Sequence, residues 1–176
     1  MYLENNLLKQ VQIAYSVPRT ISLVTVTANE LFNLFPTDLH GEINDLYYII
    51  SLRQGGKAAQ QVQEAGLVLL SEVEPGIYKS VYSLGKNHMQ PLKEKSLFPF
   101  SGLFSNRFNL PIPANTVTYR ELEMTRFFDQ GIHRIFLFKI ITRQQLMKNT
   151  GSLAHIHGVY ASWRLANHLE SNYLIR

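Results

Sequence analysis

The chain has 176 residues, 45% apolar and 17% charged, with a net charge of +4, a length and balance suited to one globular domain with a proper core. Its lysines and arginines are scattered rather than gathered in a run, which argues against a nucleic-acid surface. It has no cysteine, which excludes disulfides, thiolate metal sites and cysteine nucleophiles.

The start, Met1-Tyr2-Leu3-Glu4-Asn5-Asn6, lacks the order of a signal peptide, and no apolar run is long enough to cross a bilayer. A cytoplasmic protein without a membrane partner is the expectation. Residues 3–15 read as a short leading helix or an irregular arm. Residues 20–27 are β-branched and nearly alternate hydroxyls with aliphatics, which predicts a strand. Asn29-Glu30 reads as a turn and 31–35 as a second short strand. Pro36 to Asn44 reads as a loop, because it holds Pro, Asp, Gly and Asn. Residues 47–52 are a third strand, and 57–65 a short helix stopped by Gly66.

Further along, 67–73 is a buried strand broken by Pro75-Gly76, and 77–84 reads as helical. A short helix is expected across 88–95, and 101–113 reads as a loop. Two long strands follow at 116–124 and 133–141, joined by a turn at 127–131. Many strands with only short helices argue for a mainly β (α+β) barrel or sandwich rather than a doubly wound sheet. The expected organisation is a single domain over 1–176, its core at about 17–145 and an extension at 146–176.

The most informative segment is Ser51-Leu52-Arg53-Gln54-Gly55-Gly56-Lys57-Ala58-Ala59, a strand end, a glycine turn and a helix start. Unpaired N–H groups at a helix N-terminus, backed by the helix dipole, favour an anion. Arg53 and Lys57 add a fork and a point charge for the same anion. Taken alone the pattern also fits an ordinary connection with both cations in solvent, and the spacing names no ligand. Asn33-Leu34-Phe35-Pro36-Thr37-Asp38 could flank a flat heterocycle with polar and aromatic groups, or simply form a strand end and a proline turn.

His155 and His157 would share one face of a strand, which suits a metal pair, but sequence spacing fixes no third ligand. No metal site is assigned. There is no Gly-x-Ser-x-Gly elbow, Gly-x-Gly-x-x-Gly or Walker sequence. Glu121 and Glu123 on one strand are expected to face solvent. Nothing in the chain is an evident catalyst, so an enzyme built on it would need a cofactor for the reactive group.

The order of these pieces resembles flavin reductase-like domains. Residues 18–25, Pro-Arg-Thr-Ile-Ser-Leu-Val-Thr, look like their opening strand, and Asn33 to Thr37 falls where they place a flavin-contacting segment. Residues 50–53 with Lys57 and the following helix resemble their phosphate-side turn, and 131–138 their late Gly-Asp-His strand. The resemblance spans about 17–145. It implies an FMN-binding split β-barrel with short helical insertions and a homodimer with flavin near the subunit interface. NAD(P)H is the possible co-substrate.

By position, the resemblance places Asn33, Phe35, Pro36 and Thr37 along the ring or ribityl chain. Ser51, Leu52, Arg53 and Lys57 fall on the phosphate side, and His133 near the flavin or its nicotinamide partner. The chain departs from the pattern at Pro36, at Ile132, which replaces an acidic residue, and at 38–41. A flavin reductase-type oxidoreductase is the leading expectation. A non-enzymatic flavin-binding or sensing protein and a metal-dependent β-barrel enzyme using His155 and His157 are the alternatives.

Overall fold

The computed structural model describes residues 18–156 and 166–168. The readings for 3–15 and for most of the C-terminal stretch, including His157, lie outside these residues. Two compact units are distinguished, Ile21–Leu153 and a unit drawn from the two chain ends. In the latter, β1 (Arg19–Thr20) pairs antiparallel with β11 (Ala154–His155).

The main unit begins with β2 (Ser22–Ala28), β3 (Leu31–Thr37), β4 (His40–Glu42) and β5 (Tyr47–Arg53), followed by α1 (Lys57–Ala65) and β6 (Leu67–Val73). An insertion follows, made of 3-10 turns, α2 (Tyr78–Ser83) and the hairpin β7 (Phe100–Phe104) and β8 (Pro111–Pro113). The long strands β9 (Thr116–Gln130) and β10 (His133–Gln145) complete it. Seven strands form one antiparallel sheet in the order β3-β2-β6-β9-β10-β5-β4. Its two outer strands are consecutive in sequence, so the chain steps from one edge to the other through Asp38 and Leu39. The Ser51 N–H donates to the Leu39 carbonyl at 2.8 Å and seats that corner.

Curled this way, the sheet buries Val24 and Val26 of β2 in the same cluster as Tyr48, Ile50 and Leu52 of β5. Helix α1 adds Ala58, Ala59 and Val62 to that interior. Two smaller clusters cover the outer face. Ile77, Val81 and Leu84 pack on Leu23, Leu34 and Val73, while Leu110 and Ile112 pack on Leu69 and Tyr119. β2 is therefore buried on both faces, with Leu23 to Val26 nearly inaccessible. Among the described residues no helix is long and apolar enough to cross a membrane.

Sequence and structure agree on α1 and β6, and the turn at Asn29-Glu30 is a two-residue hairpin with positive φ at both residues (51° and 64°), as the right-handed strand twist requires. They differ where pairing overrides local chemistry. β3 continues through Pro36 to Thr37, which is permitted because it is an outer strand with no neighbour to receive the missing N–H. Gly41 lies inside β4 rather than a loop. Residues 101–113 contain the β7–β8 hairpin, and the helix expected over 88–95 is replaced by 3-10 turns at Leu84–Met89 and Lys95–Leu97. β9 runs past Phe127 to Gln130, so the reversal falls at Gly131-Ile132.

Glu121 is a further correction. It faces outward but is fully buried beneath the 105–110 loop. Its carboxylate accepts the Arg107 N–H (3.0 and 3.2 Å) and the Phe108 N–H (2.7 Å). A turn folded over a sheet leaves such N–H groups without backbone partners, and the carboxylate satisfies them. A second polar anchor is Arg120, whose guanidinium donates to Glu72 at 2.7 Å and Glu42 at 2.9 Å. Ser152 donates to the other Glu72 oxygen at 2.6 Å. Burial alone would raise the Glu72 carboxyl, but Ser152 and Arg120 outweigh it and hold it below its usual range. Burial lifts the Tyr48 phenol beside this network to about 12, so it stays neutral and meets His40 Nδ1 at 2.7 Å.

Two outcomes follow for stability. Glu121→Ala strands two half-buried N–H groups and is expected to cost about 2 kcal/mol in urea unfolding; a loss within about 0.5 kcal/mol would mean the loop is held otherwise. Because the folded state depresses the Glu72 pKa, its contribution is present above the ordinary carboxylate value and fades as pH falls through it. Glu72→Gln should flatten the acid limb of a stability–pH curve, and an unchanged limb would refute this linkage.

Candidate functional site

Three short stretches far apart in sequence meet at the C-terminal end of β5. The Arg53 carbonyl accepts the Gly56 N–H at 3.0 Å, closing the turn into α1. Gln54 ties that turn to the β9–β10 reversal, its backbone N–H donating to the Ile132 carbonyl (3.1 Å) and its side chain to the Gly131 carbonyl (2.7 Å). Arg53 is opposite His133 in register, and Ser51 Oγ lies 3.1 Å from His133 Nδ1. The bond from Ser51 to Leu39 adds the β3–β4 corner.

The start of α1 departs from ordinary helix chemistry. Gly56 at the N-cap offers no side-chain cap, the first turn has no acidic residue, and its first residue is Lys57. A cation at that end opposes the helix dipole, and uncapped N–H groups call for an acceptor. Arg53 and Lys57 are both exposed, and neither forms an ion pair or side-chain hydrogen bond among the described residues. Two cations that pair with none of the described residues and a helix start without a side-chain cap make one anion-seeking corner. The residues present fit a phosphate group.

The 33–37 segment divides. Asn33 is completely buried, its amide donating to Gln61 Oε1 (2.7 Å) and the Asn87 carbonyl (3.0 Å) and its oxygen accepting the Leu34 N–H (2.8 Å). Phe35 is also in the interior, against the His88 ring with centroids 4.9 Å apart. Thr37 is nearly inaccessible, and the Leu52 side chain belongs to the core. Pro36, Ser51, Arg53, Lys57 and His133 are the expected residues that retain solvent access.

Sequence reasoning passed over Gln61, Asn87 and His88. Gln61 could have been found, because a polar residue falls on the same face of α1 as Ala58 and Val62. Asn87 and His88 gave no periodic signal. The His88 Nε2–H donates to the Pro36 carbonyl at 2.7 Å. Burial pushes this imidazole below its ordinary 6.5; the Pro36 carbonyl and Asp38 pull the other way, while Arg53 reinforces burial.

A hollow of about 480 Å³ lined by Ile43, Tyr47, Thr125, Arg126 and Leu137 shares none of these residues. Among the described residues no cluster of three or more metal-ligating side chains occurs.

No family model and no curated protein sequence matches the chain. Solved structures do. The NADH:FAD oxidoreductase SgcE6 of Streptomyces globisporus C-1027 superposes with a TM-score of 0.74 at 16% identity, covering 88% of this chain and 90% of its own. An FMN-binding protein from Thermus thermophilus gives 0.69 at 17% identity, with 80% and 83% covered. BorF, the flavin reductase component of a bacterial two-component tryptophan halogenase, gives 0.68 at 15%, with 80% and 88% covered. The fold is that of the flavin reductase and FMN-binding split-barrel structures.

Asn33→Ala should act on folding. Removing the amide leaves Gln61 and the Asn87 carbonyl short of a donor, an expected loss of about 2–3 kcal/mol in chemical denaturation. Unchanged stability would return Asn33 to the candidate ligand contacts.

Proposed function

We propose that the chain binds FMN and acts as a flavin reductase-type oxidoreductase, with NAD(P)H as hydride donor. The observation that carries this reading is the α1 start, which no side chain caps, with Arg53 and Lys57, two cations that pair with none of the described residues, near Ser51 and His133. The fold adds support, since the structures it resembles include an NADH:FAD oxidoreductase and an FMN-binding protein.

In this reading Arg53, Lys57 and the first N–H groups of α1 hold the phosphate, and Ser51 closes that side. Pro36 and the Asp38–Leu39 corner form the wall toward the ring. The Ser51 hydroxyl fixes the His133 imidazole through Nδ1, leaving Nε2 for the flavin or the nicotinamide. A bound flavin supplies the two-electron acceptor, so the protein's work is orientation and charge compensation rather than acid–base chemistry. Phe127, Phe128 and Ile132 are exposed on the β9–β10 arms. We assign these apolar surfaces to a second copy of the chain, as a homodimer with flavin near the interface would require.

The absorbance spectrum of the purified protein tests binding: a flavin spectrum that bleaches with NADH or NADPH is expected. Flavin that stays oxidised with either donor would reassign the chain to flavin binding without reduction. Arg53→Ala with Lys57→Ala should weaken FMN far more than riboflavin, each lost charge-assisted contact being worth about 1.5–3 kcal/mol. Equal weakening of both ligands would sink the phosphate assignment.

A further inference from the structure

The Leu84–Met89 turn belongs to the insertion, yet its polar bonds run to the elements that frame the candidate site. Asn87 Nδ2 donates to the Leu34 carbonyl at 2.8 Å, and the Asn87 carbonyl accepts the buried Asn33 amide. Gln61 of α1 accepts from Asn33 and donates to the Gln90 carbonyl at 2.9 Å. His88 completes the set by donating to Pro36. The same turn abuts the helix start: a Cβ placed on Gly56 would lie 3.4 Å from the His88 carbonyl and 3.7 Å from Met89 Sδ. β3, α1 and this turn are thus joined by one polar network.

We propose that His88 is a positioning residue of the ligand site, holding the Pro36 carbonyl so that the Pro36–Leu39 corner stays against Ser51. This deepens the flavin reading and rests on it for the identity of the ligand. Pro36 carries the strand into the corner without a backbone N–H. Its carbonyl is therefore a handle by which a neighbouring donor can fix the corner, and His88 is that donor.

The latch responds to acid. The neutral imidazole with its proton on Nε2 satisfies the bond, whereas a second proton puts a cation in a largely dry place. From the β3–β4 corner Asp38 favours that cation; from the end of β5 Arg53 opposes it, and burial opposes it further. β3 presents the Phe35 ring and the Pro36 carbonyl, and α1 presents Gly56, none of which carries charge. With the closed-state pKa below the ordinary one, the open form binds more protons. The latch is closed above the ordinary histidine value and weakens as pH falls through it.

Riboflavin is the suitable probe, because it lacks the phosphate that titrates in the same range as histidine. Wild-type protein should bind riboflavin several-fold more weakly at about pH 5.5 than at about pH 7.5. His88→Gln keeps a donor for Pro36 that does not titrate, so its affinity should be near wild type at the higher pH and the same at the lower. His88→Ala should be weak at both, with circular dichroism checking that it folds. Persistence of the wild-type pH dependence in His88→Gln, or full affinity in His88→Ala, would overturn the proposal. If neither FMN nor riboflavin binds wild-type protein at either pH, the flavin reading fails and the latch is judged by amide hydrogen exchange. The Leu34 and Ser51 amides, which donate to the Asn33 side chain and the Leu39 carbonyl, should lose protection in acid in wild type, after correction for intrinsic rates, and retain it in His88→Gln; equal loss in both would refute the latch itself.

Discussion

Closure of the sheet through Asp38 and Leu39 is the constraint on which the rest depends. Because β3 and β4 are the two ends of the hydrogen-bond order, a two-residue corner must span the gap between them. The sheet can satisfy that only by curling, and curling brings β2 and β5 into one apolar cluster. It also delivers the corner to the end of β5, where Ser51 receives it. The residues of the candidate site are thus brought together by barrel closure, at the seam and at the turn from β5 into α1.

Buried and half-buried polar groups on both faces of the sheet hold its geometry. Asn33, Gln61 and Asn87 satisfy one another across β3, α1 and the 84–89 turn, and Glu121 does the same for the loop over β9. Arg120 joins β4, β6 and β9 through two carboxylates. Apolar contacts tolerate sliding, whereas each of these bonds has one geometry and leaves a costly orphan when broken. Their placement explains how strands from distant parts of the chain keep a fixed register around the site.

Much of the fold was legible where local chemistry and tertiary pairing agree. Gly66 ends α1 in the left-handed conformation (φ 66°) that glycine adopts readily, and β6 carries the apolar run Leu67–Leu70, with Val68 and Leu70 in the interior cluster and Leu69 in an outer one. What misled was context. Pro36 signals a loop unless its strand is an outer one, and Glu121 signals solvent unless a loop folds over it. Strand order decides both, and strand order is not local. Ser51, Arg53, Lys57 and His133 were legible as candidates, because turns and charges announce themselves by residue type, and the fold brings Ser51 and Arg53 beside His133. Asn33 and Phe35 carried a family-like pattern that does not reveal which way the side chains point, and both point inward here. His88 enters through hydrogen bonding alone.

Lys57 at the head of α1 carries a thermodynamic meaning of its own. Its ammonium repels the positive end of the helix it begins, and no side chain caps the N–H groups of that first turn. An anion at that point removes both penalties together, so occupancy and folding draw on a single free energy. Under the proposed function, the first turn of α1 is where ligand concentration would be converted into stability.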